Sequence, residues 1–238
     1  MKRYLIVIYA ALFSLLTFSS IIYTNNGSEV SCTGNKSIPE SQTKKEEHKR
    51  PSPERIYRFE QQEVTVKDFD PEGYILDIGG GGEGVIGQLK GQQVIAIDIS
   101  KRELEEAPPG PLKIVMDARD LKFLDNSFQT ATVFFTFMYI KGADHQKVFE
   151  ELFRVLATGG RLFIWDVIFP KLIDEKKEVA LFPLKVILPN KEITTGYGVH
   201  WPEKEQGLLH YLKLAEKTGF KVIAKDDNGK WFYLELRK

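Results

Sequence analysis

Hydrophobic and polar positions fall into three regimes along the chain. Residues 4–23 are uncharged and apolar on every face, about twenty positions, enough for a helix to cross a bilayer core. Lys2 and Arg3 precede this run, and residues 24–55 after it are rich in Ser, Asn, Thr, Lys, Glu and Pro. Residues 1–23 therefore read as an N-terminal transmembrane anchor or a secretory signal peptide, and 24–55 as a disordered linker. Thr17-Phe18-Ser19 offers a small-x-small cleavage pattern, but the apolar run continues to Ile21, Ile22 and Tyr23, which favours an uncleaved anchor.

Beyond residue 55 the pattern is that of a folded domain, 56–238. Short β-branched runs at 74–78, 94–98, 112–116, 130–135 and 161–166 alternate with amphipathic or polar segments, which predicts a parallel sheet with helices on both faces. The clearest helix starts near Asp144, with Phe149, Leu152, Phe153 and Leu156 on one face and Gly159-Gly160 as its stop. Another runs from 202 or 203 to 218, with Leu208, Leu212 and Ala215 inward and Gly219 ending it. The last two apolar runs, 220–225 and 231–237, flank Asp226-Asp227-Asn228-Gly229, which predicts an antiparallel hairpin. Residues 168–201 form an insertion before the last long helix. A small hairpin is expected at 186–194 and a glycine-hinged aromatic loop at 196–201, together either a lid over an apolar acceptor or a cap that only covers the sheet edge.

Composition sharpens this outline. The 238 residues are 42% hydrophobic and 28% charged, an ordinary globular balance that excludes a wholly disordered or multi-spanning chain. Cys32 is the single cysteine, so neither an internal disulfide nor a cysteine-based metal site is expected. The 33 basic and 33 acidic residues cancel, but they are partitioned as +2 at the N-terminus, +1 on the linker and −3 on the domain. A mildly acidic domain without a basic stripe argues against nucleic acid as a partner.

The most informative stretch is Ile75-Leu76-Asp77-Ile78-Gly79-Gly80-Gly81-Gly82-Glu83-Gly84, an apolar strand entering a glycine-rich turn before a short helical segment. Such a turn lets backbone approach a ligand and offers free N–H groups. A second strand ends at Asp98, about twenty residues after the first glycine, where a carboxylate accepts from ribose hydroxyls. A third ends at Asp117-Ala118, on the same carboxyl edge of the sheet.

These residues, with Arg154-Val155-Leu156-Ala157-Thr158-Gly159-Gly160 before the fifth strand and the Asp125-Asn126-Ser127-Phe128 turn, resemble the class I S-adenosylmethionine-dependent methyltransferases, and among them the type 11-like domains. One departure is that Glu83 stands where the family usually has its third glycine. The resemblance implies an α/β fold: a Rossmann-like seven-stranded mostly parallel sheet with an antiparallel C-terminal hairpin, here preceded by an N-terminal transmembrane helix. It implies S-adenosyl-L-methionine as co-substrate, with Asp77, Gly79 and Gly81 at the methionine moiety and Asp98 on the ribose. Ile99 would lie against the adenine face, with Asp117 and the Ala118 N–H on its edge.

Transfer of a sulfonium methyl needs alignment and exclusion of water rather than a triad or a metal. Tyr139 and His145 are the candidate general bases for a hydroxyl acceptor, with core packing or capping as the alternative for each. The acceptor class expected is a small-molecule or lipid-like compound. Competing readings are a nicotinamide or flavin oxidoreductase, which the glycine spacing alone permits, and a non-catalytic S-adenosylmethionine-binding sensor. The charge flanks of residues 4–23 predict an outward-facing domain. The donor is made in the cytosol, which favours a membrane-anchored, cytosol-facing domain over one exported after signal cleavage.

Overall fold

A computed structural model describes residues 52–238, apart from 173, 175 and 203–205. The predicted anchor or signal peptide, 1–23, and nearly all of the linker lie outside the described residues. Among the described residues no helix is long and apolar enough to cross a membrane.

The elements run β1 (Ile56–Arg58), β2 (Gln62–Thr65), β3 (Ile75–Ile78), α1 (Val85–Lys90), β4 (Val94–Asp98), α2 (Lys101–Glu106), β5 (Leu112–Val115), β6 (Phe128–Phe134), α3 (His145–Val155), β7 (Leu156–Val167), β8 (Val179–Leu188), β9 (Lys191–His200), α4 (Leu208–Thr218), β10 (Lys221–Asp227) and β11 (Trp231–Arg237). Seven of the strands form one sheet in the order β10-β11-β7-β6-β3-β4-β5. Its β3, β4, β5, β6 and β7 are parallel, as expected from their crossover helices. β11 returns antiparallel to β7 and pairs with β10 as the terminal hairpin.

Both sheet faces are covered. On one, Phe149 and Leu152 of α3 with Tyr211 and Ala215 of α4 pack on Leu76, Val133, Ile164 and Phe232. On the other, Val85 and Ile86 of α1 and Leu104 of α2 share a core with Phe134, Phe163 and Trp165. That core continues into Phe182, Leu184 and Val186 of β8, which belongs to a second, four-stranded sheet.

The second sheet revises the expected insertion. The hairpin predicted at 186–194 extends over β8 and β9, paired from Val179↔His200 to Leu188↔Lys191. β1 and β2, to which the sequence analysis assigned no element, add in parallel to β8 and complete this sheet. The linker boundary moves accordingly: Pro53–Arg55 is a helical turn joined to the insertion by the Arg55–Glu178 ion pair.

Two helix boundaries also differ. α3 ends at Val155 because Leu156 already pairs with Phe128 in the sheet, and Gly159 (φ 83°) bends the strand instead of stopping the helix. α4 begins at Leu208, after Gln206 has bridged to Phe169.

Candidate active site

The sheet order fixes the site. Strand ends β5, β4, β3 and β6 lie side by side, so the segments that leave them line up along one carboxyl edge. They carry Asp117, Asp98, Gly79 and Thr136 in that order, and all four line a single cavity of about 800 Å³. Gly81, Ile99 and Ala118 line it as well, as do Tyr139 and, from β9, Gly196 and Tyr197.

The glycine loop is shaped by close approach. Gly79 sits at φ 72°, and a Cβ there would come within 2.3 Å of Thr136 Oγ1. A Cβ on Gly81 would lie 2.8 Å from Asp98 Oδ2 and 2.6 Å from the Glu103 Cβ. Gly79 and Gly80 both donate backbone N–H groups to the Ile97 carbonyl, at 2.8 and 3.0 Å, which fixes the loop against β4.

Asp77 lies beneath this loop rather than on the cavity wall. It is 2% exposed and accepts a 2.7 Å hydrogen bond from the Thr132 hydroxyl. Burial pushes its carboxyl up to about 7. Asp98 accepts from the Ser100 N–H at 2.8 Å, and burial raises its carboxyl while the backbone N–H groups of Ser100, Gly81 and Ile99 counter that rise.

Asp117 is not a free acceptor. Arg119 grips it from two sides, Nη2 to Oδ2 at 2.6 Å and Nε to Oδ1 at 2.9 Å, and spans to Asp144 Oδ2 at 2.8 Å. The guanidinium holds the Asp117 carboxyl below the usual carboxylate range. A neighbour two residues on in sequence was the only signal for this pair.

The two candidate bases separate. Tyr139 lines the cavity with 47% of its surface exposed, and desolvation of its hydroxyl together with the carboxylates of Glu83, Asp166, Glu103 and Asp98 raises its phenol above the ordinary tyrosine range. That places it as a donor or an aromatic wall of the cavity. His145 does not line the cavity. It is fully buried, its Nε2 3.1 Å from Phe137 O and 3.0 Å from Ile140 O, its Nδ1 2.9 Å from His210 Nε2. Those partners assign the proton to Nε2, and burial lowers the ring's pKa. His145 therefore braces the turn that carries Tyr139.

Two residues that the sequence reading passed over support the cavity wall from behind. Asp166, near the end of β7 and fully buried, accepts from the Phe137 and Val167 N–H groups, both at 2.8 Å, and so fixes the start of the 137–139 turn. Burial pushes its carboxyl up to about 7. The rule that selected Asp77 and Asp98, an acid closing a buried strand, applies equally to Asp166. Thr195 on β9 donates to the Glu83 carboxylate, to which the Tyr197 hydroxyl also bonds. Among the described residues no cluster of His, Cys, Asp and Glu is arranged to hold a metal.

The geometry fits an adenosyl ligand: a glycine cradle that side chains would fill, then a carboxylate at each of the next two strand ends. Residues 76–164 match a family model described as a methyltransferase domain. No curated protein matches the chain. An S-adenosylmethionine-dependent methyltransferase from Mesorhizobium loti is 14% identical, over 71% of this chain and 94% of its own, with a TM-score of 0.50. Phosphoethanolamine N-methyltransferase 2 from Haemonchus contortus, solved with S-adenosyl-L-methionine, is 17% identical over 72% of this chain and 50% of its own, TM-score 0.53. The [4+2]-cyclase SpnF is 15% identical over 71% and 76%, TM-score 0.51. At these identities the likeness to solved structures is one of fold.

Proposed function

We propose that this chain, which carries a class I S-adenosylmethionine-dependent methyltransferase domain with S-adenosylmethionine as co-substrate, transfers the methyl group to an acceptor entering beside Tyr139 under β9. The observation that carries this is the order of Asp117, Asp98, Gly79 and Thr136 along adjacent strand ends of one cavity. The adenine would lie between Ile99 and the Asp117-Ala118 segment, and the ribose hydroxyls on Asp98. The methionine moiety would follow the Gly79–Gly81 backbone, with Asp77 beneath. Asp117 would accept from the adenine amino group only with the lone pairs that Arg119 leaves.

The donor supplies an activated methyl on sulfur, and this chain supplies placement. The segment after β6 and the roof from β9 hold the acceptor in line and exclude water. With Tyr139 kept protonated and His145 enclosed, neither acts as a base on the acceptor. Methyl turnover separates this reading from a binding-only sensor, since a fold of this kind in SpnF belongs to a cyclase. Radiolabelled methyl transfer to an acceptor panel, compared with S-adenosylmethionine binding, is the test. Binding with no transfer to any acceptor class would favour the sensor.

The uncharged stretch 4–23 supports a membrane tether, and the cytosolic supply of the donor supports a domain on that side. Protease protection in spheroplasts tests this. Digestion of the domain from outside would overturn it.

A further inference from the structure

If the donor lies along the β5, β4 and β3 ends, as proposed, the remaining end of the cavity is the acceptor's, and it is walled by rings. The Tyr197 centroid stands 5.8 Å from that of Phe135 and 6.5 Å from that of Tyr139, the latter pair nearly perpendicular at 86°. Phe135 occupies φ 49°, a left-handed backbone that a bulky residue adopts only where its surroundings impose it, and such strain clusters at ligand clamps. Its N–H is held by Trp165 O at 2.8 Å. Glu83 lies at the same end, bonded to Thr195 and Tyr197.

The charge around these rings is one-sided. Six carboxylates and three cations line the cavity as a whole. Arg119 is engaged by Asp117 and Asp144, Arg102 lies 3.5 Å from Glu103 and 3.0 Å from Glu106, and Lys141 is exposed at the rim. The leading charges on the Tyr139 hydroxyl are all carboxylates, Glu83 first.

Charge conservation then discriminates between acceptors. Transfer to an oxyanion would bring a further negative charge into a site already set by carboxylates, which raises the energy of that anion. Among the described residues no histidine lines the cavity to take its proton. Transfer to an amine moves the positive charge from sulfur to nitrogen within the same field. Aromatic faces favour that cation in both substrate and product.

We propose that the acceptor is an amine, held as its ammonium form against the faces of Tyr139 and Tyr197 beside Glu83. Before attack the ammonium gives its N–H proton to the Glu83 carboxylate beside it. The nitrogen lone pair then forms the N–C bond as the C–S bond breaks. The C–S electron pair stays on sulfur, leaving a neutral thioether and an alkylammonium product.

The test uses the whole chain saturated with S-adenosylhomocysteine, whose sulfur is neutral, and compares tetramethylammonium with uncharged neopentyl alcohol by calorimetry. The cation should bind about tenfold or more tightly than the alcohol. Tyr197→Phe should keep that preference and Tyr197→Leu should lose it, with S-adenosylhomocysteine affinity changed less than about twofold in both. Equal binding of the two probes, or no binding of the cation, overturns the amine assignment. Failure of S-adenosylhomocysteine itself to bind would instead contradict the donor site, so the two readings fail separately.

Discussion

The Thr195 hydroxyl donates a hydrogen bond to the Glu83 carboxylate, joining a strand of the small sheet to the glycine loop of the large one. Lys191 Nζ on the same hairpin bonds Gln88, whose amide reaches back to the Glu83 carbonyl. Loop and roof are thus tied at both side chain and backbone, at the position where the related motif carries a glycine. Glu83→Ala should loosen β9 without unfolding the large sheet. We expect a loss of about 1–2 kcal/mol in stability and faster amide exchange confined to residues 191–200. Unchanged exchange there would show that the roof is held by its core alone.

Asp77 makes stability depend on pH in a direction opposite to that of a salt-bridged acid. Burial raises its carboxyl to about 7 in the folded chain, against the ordinary 3.8 of an aspartate in water, so the folded state keeps a proton that the unfolded chain releases. That contribution is present at low pH and is lost as pH rises from about 4 through 7. Asp77→Asn removes the titration while its side-chain oxygen still accepts from Thr132. Relative to the parent, and without added donor, the variant should gain on the order of 2–3 kcal/mol between pH 5 and pH 8 in denaturant titrations. A difference independent of pH would contradict the buried, protonated Asp77.

Desolvation of the hydroxyl and the surrounding carboxylates raise the Tyr139 phenol, so the role expected of it is that of a wall. Tyr139→Phe should leave the shape of the pH–rate profile unchanged between about pH 7 and 9, once an acceptor is in hand. Disappearance of an alkaline or acid limb in that variant would restore Tyr139 as a proton acceptor.

His145 satisfies two buried carbonyls with one N–H, those of Phe137 and Ile140. His145→Ala strands both, and the expected loss is about 2–3 kcal/mol in thermal or chemical unfolding, with S-adenosylmethionine binding retained once the variant is folded. A variant of parental stability that had lost turnover would instead place the imidazole in the chemistry.

The sheet and the carboxyl-edge residues that line the cavity were legible in the sequence for the same reason. Buried parallel strands are unbroken apolar runs, and each leads to an acid or glycine on the cavity wall, as Leu76 leads to Gly79 and Ile97 to Asp98. β2 escaped notice because only Val64 of its four residues is buried, and a short edge strand leaves no period to read. Leu156 looked like the last apolar position of a helix because its spacing from Leu152 fits, and only its pairing with Phe128 makes it strand. The span of Arg119 to Asp144, and the enclosure of His145 by α4, arise from contacts between elements, which no local pattern encodes. Arg154 is a case of the reverse: its motif was visible, and the structure gives its reason, three 2.8 Å bonds to Leu121 O, Phe123 O and Asp125 that pin the turn before β6.

The most direct test of the donor site is calorimetric titration of the whole chain and of Asp98→Ala with S-adenosylmethionine. The account predicts one equivalent bound by the parent and an affinity about tenfold to a hundredfold lower in the variant, with thermal stability little changed. No binding of S-adenosylmethionine alongside tight binding of a nicotinamide dinucleotide would contradict it.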